Sequence, residues 1–154
     1  MAERVHVRLH IGGRIKREDA QTLLELLAAK GFEIDTQTPG FVTLVAAETD
    51  VDALAGSPPL NAYEVRYGDV SAITKFCADK GLDYHQLTDA CGGEDPVLYR
   101  RVGGEERTLP GHNGQAMIPI ADVLEVETLA KGLGDLIANA RWWTAPIQPL
   151  VIEE

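Results

Sequence analysis

The chain has 154 residues, of which 45% are hydrophobic and 25% charged. That is the composition of an ordinary folded domain, long enough to bury a core without disulfide or metal support. Its net charge of −10, from 24 acidic and 14 basic groups, repels phosphate and argues against nucleic-acid binding.

Val5 to Ile11 alternates strictly, with Val5, Val7, Leu9 and Ile11 on one face and His6, Arg8 and His10 on the other. Period two over seven residues predicts a half-buried strand, ended by Gly12-Gly13. Residues 17–30 switch to helical spacing, with Ala20, Leu23, Leu24, Leu27 and Ala28 in one stripe. Glu18 and Asp19 complement the positive end of the helix dipole and Lys30 the negative end. Gly31 suits the left-handed position just past a helix. A short strand over 32–35, the turn Thr38-Pro39-Gly40 and a strand over 41–46 follow.

The pattern then recurs. Tyr63, Val65 and Tyr67 alternate with Glu64 and Arg66, and Asp69 or Ser71 suits the start of a helix with the stripe Ile73, Phe76, Cys77. That helix stops at Lys80-Gly81 before Leu82-Asp83-Tyr84, which matches Lys30-Gly31 before Phe32-Glu33-Ile34. Two β-α-β-β pseudo-repeats over 4–47 and 62–102 are the expectation. The expected fold is α+β, a mostly antiparallel or mixed sheet with helices on one face, ferredoxin-like, with an added C-terminal helix.

Pro96 to Val102 reads as a strand, turning at Gly103-Gly104-Glu105-Glu106 into Arg107-Thr108-Leu109. Pro110 to Gly114 reads as a loop, and Met117-Ile118-Pro119-Ile120 as an edge strand because of its proline. A helix over about 127–143 carries the stripe Leu129, Leu133, Leu136, Ile137 and Ala140, and an extended tail follows. No apolar run reaches the roughly 18 residues of a membrane span, and Met1-Ala2-Glu3-Arg4 lacks the order of a signal peptide. One cytoplasmic domain over 1–154, without membrane contact or cofactor, is expected.

Chemistry-bearing residues concentrate over 83–95, where His85, Asp89 and Cys91 precede Gly92-Gly93. With His112 they form a candidate catalytic group, a thiol and imidazoles with an orienting carboxylate. No Cys-x-x-Cys or paired His spacing accompanies them, and His6 and His10 are four apart on a strand, roughly 13 Å, so no metal site is expected. Gly12-Gly13 with Arg14, Lys16 and Arg17 has only a weak likeness to a phosphate loop.

Contact residues read more simply. His6, Arg8, His10, Glu64 and Arg66 project from the sheet face opposite the helices, and Trp142-Trp143 marks the C-terminal edge. The leading expectation is a non-enzymatic protein that binds a protein partner or itself through this face or edge. The alternative is an enzyme or small-ligand binder using His85, Asp89, Cys91 and His112.

Overall fold

Strand β1 (Arg4–Lys16) is the spine of the sheet, and its alternation runs further than the sequence suggests. The computed structural model describes residues 3–35, 42–46, 48–90, 96–112, 115–117 and 129–154. After β1 come α1 (Arg17–Ala29), β2 (Glu33–Asp35), β3 (Val42–Leu44), a 3₁₀ turn (Val51–Leu54), β4 (Leu60–Arg66), α2 (Ser71–Asp79) and β5 (Asp83–Thr88). The chain continues through β6 (Val97–Val102), β7 (Glu105–His112), β8 (Gln115–Ala116), α3 (Leu129–Thr144) and β9 (Leu150–Glu153).

Eight strands pair antiparallel in the order β3-β2-β4-β1-β5-β6-β7-β8, and β9 runs parallel to the second half of β1. The fold is therefore α+β with an open, mostly antiparallel sheet. The order is symmetric about its centre as far as β6. Exchanging β1-α1-β2-β3 with β4-α2-β5-β6 reads the same path backwards.

Both helices end alike. In α1 the Gly31 N–H bonds the Ala28 carbonyl and the Phe32 N–H bonds Leu27; in α2 Gly81 bonds Ala78 and Leu82 bonds Cys77. This is the paired closure of a Schellman motif, and Gly31 and Gly81 hold its left-handed position at φ 73° and 69°. The apolar residue after each glycine is fully buried beside the last helical turn, Phe32 near Leu27 and Leu82 near Cys77. Lys80 reaches back to Asp19 at 2.9 Å, tying the end of α2 to the start of α1. The Asp69 carboxylate accepts the Ser71 N–H at 2.9 Å, the start signal expected for α2.

The main core lies between α1, α2 and one sheet face, where Val7, Leu9 and Ile11 meet Leu23, Leu27, Ile73 and Leu82. Each such buried side chain stabilises the fold by about 1.5–3 kcal/mol. The helices do not share one face, however. Leu87 and Leu98 point to the other side, where Trp143 of α3 covers them in a second core with Leu109 and Trp142. Residues one apart on a strand face opposite ways, so Leu87 leaves the side held by Gln86 and Thr88.

Several further expectations change. Gly12-Gly13 does not end β1, because Gly12 lets the Gln148 backbone and the Ile147 side chain pack against β1 at contact distance before β9 pairs with Gly13–Lys16. Arg14 is taken by Glu153 and Arg17 by Glu154 and Asp52, so these cations hold the tail rather than a phosphate. The strand expected to start at Leu82-Asp83-Tyr84 runs over 83–88 as an inner strand, since His85 and its neighbours pair with both β1 and β6. Pro110 to His112 extend β7. In α3 the less exposed side is Leu136, Asn139 and Trp143, while Ile137 is exposed, so the helix is rotated from the expected stripe toward its tryptophans. Residues 118–120, at the expected edge strand, and 127–128, at the expected helix start, lie outside the described residues.

Candidate binding face on the sheet

All described candidates with a contact or catalytic reading project from β1, β4, β5 or α3 onto the sheet face away from α1 and α2. Register builds that face in rows. Leu44, Glu33, Asn61, Arg8, Leu87, Leu98 and Leu109 stand opposite one another across seven strands. The next row is basic, with His10 opposite His85, His85 opposite Arg100 and Arg100 opposite Arg107.

Helix α3 closes the β5–β7 half. Trp143 is 6% exposed, and Trp142 meets it edge-on with centroids 5.1 Å apart. The guanidiniums of Arg107 and Arg100 lie 4.3 and 5.5 Å from the centroid of Trp142, within cation–π range. Arg107 also donates to Asn139 at 2.9 Å and pairs with Glu105 at 2.8 Å. Arg100 is 4% exposed; Nη2 donates to the Ala145 carbonyl, and Nε is buried without a partner among the described residues. Both tryptophans are thus engaged in the closed half.

The imidazole of His85 sits beneath this cover with Nδ1 3.4 Å from Arg100 Nη1. A guanidinium only donates, so Nδ1 is the acceptor and the ring proton lies on Nε2. Burial, then the charges of Arg100 and His10, push the His85 pKa down to about 4. Burial also lowers the pKa of His10 and of Arg100. His85 is therefore a neutral imidazole at neutral pH.

The other half, on β3, β2, β4 and β1, has no helix over it among the described residues. A bulge between the Val5–Val65 and Val7–Ala62 pairs turns Tyr63 onto this face, against the simple alternation expected of β4. Tyr63 stacks on His6 with centroids 4.5 Å apart and an interplanar angle of 13°. His6 Nε2 meets Asn61 Oδ1 at 3.1 Å. Asp89 lies 3.5 Å from His6 Nδ1 and 3.4 Å from Arg8 Nη2. Arg4 pairs with Glu64 at 3.1 Å, and Arg66 lies over the Tyr67 ring at 5.5 Å. Val42, Leu44 and Tyr63 are 57%, 62% and 57% exposed, large apolar surface on one open face.

His85 and Asp89 share a strand face but stand about 13 Å apart along it, each bound to different partners. They do not converge. Cys91 and the side chain of His112 lie outside the described residues. Cys77 is buried on α2, and burial pushes its thiol pKa up to about 12, which keeps it unreactive. Among the described residues no three His, Cys, Asp or Glu side chains gather as a metal group, and no helix is long and apolar enough to cross a membrane.

Arg100, Arg107 and Tyr63 are the face residues that sequence reading passed over. The first two were accessible, because the two-residue turn Gly103-Gly104 fixes the register that sets Arg100 against Arg107. The bulge that redirects Tyr63 has no local signal. Comparisons with protein-family models, curated proteins and solved structures give no match for this chain.

Proposed function

We propose that this is a small cytoplasmic, non-enzymatic protein acting through protein–protein contact, and that the open half of its sheet face docks a second copy of the chain. The observation that carries this reading is the exposure of Val42, Leu44 and Tyr63 together on a sheet face that α3 leaves uncovered. Strand β3 ends the sheet among the described residues, and an unpaired strand edge is a template for the same edge of another chain. Arg4–Glu64 and Arg8–Asp89 neutralise one another within the face, which suits contact with its own copy better than with a strongly charged partner. His6, Arg8, His10 and Arg66 then frame the contact. Trp142 and Trp143 support it indirectly, by closing the other half.

Sedimentation over a wide concentration range tests this. The native chain should pass from monomer to dimer, and Leu44→Glu should stay monomeric at the highest concentration. A native chain that remains monomeric throughout would overturn the reading.

We further infer a ferredoxin-like origin by duplication. The order β5-β1-β4-β2 with α1 and α2 as the connections supports the ferredoxin-like reading. The matching helix closures, spaced 50 positions apart in Leu27-Phe32 and Cys77-Leu82, support duplication.

The alternative, an enzyme or small-ligand site built from His85, Asp89, Cys91 and His112, draws no support from the separated contacts of His85 and Asp89.

A further inference from the structure

Helix α3 is lightly held on the sheet, and one guanidinium serves several of its contacts. Among its described side chains only Trp143 is buried, and Gly132 and Gly134 weaken the helix itself. The core it closes is small, Leu87 and Leu98 with Trp143 and the flanking Leu109 and Trp142. Beside that core Arg100 donates Nη2 to the Ala145 carbonyl, lies 5.5 Å from the Trp142 centroid and donates Nη1 to His85 Nδ1 at 3.4 Å. We propose that α3 is an acid-released cover: protonation of His85 breaks its contact with Arg100 and frees the helix, uncovering Leu87, Leu98 and Leu109.

The contact admits one protonation state. A guanidinium only donates, so Nδ1 must offer its lone pair; an imidazolium sets N–H against N–H and charge against charge. Arg100 is buried, and turning away from His85 would take it off Ala145 and Trp142. The surrounding groups offer the second charge little. From β1, His10 stands opposite His85 and adds a further positive charge when protonated. From β7, Arg107 stands beyond Arg100 with Glu105 as its partner. Asp83, two residues from His85 on the same strand face, acts on Arg100 and holds the Gly103 N–H. From α3 come Asn139 and Trp142, neither of them titratable.

The direction follows from linkage. Under the docked helix His85 resists the proton down to a pKa of about 4, whereas a released imidazole regains the ordinary 6.5. Docking is therefore fully favoured above about pH 6.5 and is lost as pH falls toward 4. Release changes the face as well as the helix. Leu87, Leu98 and Leu109 stand in the cross-strand row that begins at Leu44, so the apolar surface of the open half would extend across the sheet. The release itself does not depend on the dimer reading.

Hydrogen exchange on dilute, monomeric samples between about pH 7 and pH 5, where exposed carboxylates stay ionised, tests the device. After correction for the intrinsic pH dependence of exchange, protection over Leu136–Trp143 should fall on the order of tenfold further than protection in α1. Both tryptophans of the chain lie on α3, so quenching of their emission by acrylamide should rise over the same interval. His85→Gln keeps an acceptor for Arg100 but cannot take the proton, and it should remove the excess loss; Arg100→Met should shrink it. Equal falls in α3 and α1 of the native chain, or the same excess in His85→Gln, would each overturn the proposal. The native comparison decides by itself should His85→Gln fail to fold. Working at monomeric concentration keeps this outcome separate from that of the dimer reading.

Discussion

Nη1 of Arg100 stands 3.4 Å from Nδ1 of His85 under the last helix, and neither side chain forms an ion pair with a described carboxylate. Burial disfavours a charged imidazole, and the permanent cation beside it adds to that effect, so the His85 pKa falls to about 4.

The sign of the resulting pH dependence follows from linkage. An unfolded chain protonates this histidine below about pH 6.5, but the folded chain takes the proton only near its own lower pKa. His85 therefore costs stability progressively as pH falls through that window and adds no slope above it. In chemical denaturation at a series of pH values, His85→Gln should lose less stability over this window than the native chain. Equal slopes would contradict the assignment.

Arg100→Met should keep the cover of α3 while removing the buried charge and its unpartnered Nε. Replacing a poorly compensated buried ion with an apolar chain is often neutral or stabilising. Stability is therefore expected within about 1 kcal/mol of the native value or above it. NMR titration should show the His85 pKa rising from about 4 in this variant, because one of its depressing charges is gone. Leu98→Ala, in the same layer, should instead cost about 2–5 kcal/mol.

Gly12→Ala places a methyl against the Gln148 carbonyl oxygen and the Ile147 side chain. The tail must lift, with loss of β1–β9 pairing and a cost of about 1–3 kcal/mol. Limited proteolysis should release the C-terminal residues faster in the variant. Unchanged protection would show that the tail does not depend on this crossing.

Gly31→Ala and Gly81→Ala should each cost about 1–2 kcal/mol, because their left-handed conformation resists a Cβ although open space surrounds both. Similar losses by denaturant titration would show that the two helix ends are energetically equivalent. A loss at one alone would separate them.

How much of this was legible in the sequence depends on the range of the interaction. The helix ends at Lys30-Gly31 and Lys80-Gly81 are local, and so were read correctly along with β1, α1 and α2. The extent of β1 beyond Gly12 was not readable, because it rests on a tail 135 residues later in the chain, Gly12 beneath Ile147. His85 was grouped with Asp89, Cys91 and His112 because chemistry-bearing residues crowd 83–95, which says nothing of which partners each one meets. Its strand is imposed from both sides, by β1 and β6. Tyr63 was assigned to the wrong face since a bulge breaks the period of two without a Gly or Pro to mark it.

Association by the open face should also respond to salt in a particular direction. Two chains each carrying −10 repel, so an apolar contact through Val42, Leu44 and Tyr63 should tighten as salt screens the repulsion. Weakening with salt in sedimentation would point to ion pairs as the source of the contact.

Hydrogen exchange on dilute and concentrated samples tests the central claim most directly, since it reports which backbone amides association protects. The expected result is added protection at high concentration in Val42–Leu44, with β4 around Tyr63, and none in α3 at Ile137. Protection confined to α3, or no change with concentration, would contradict a contact through the open half of the sheet.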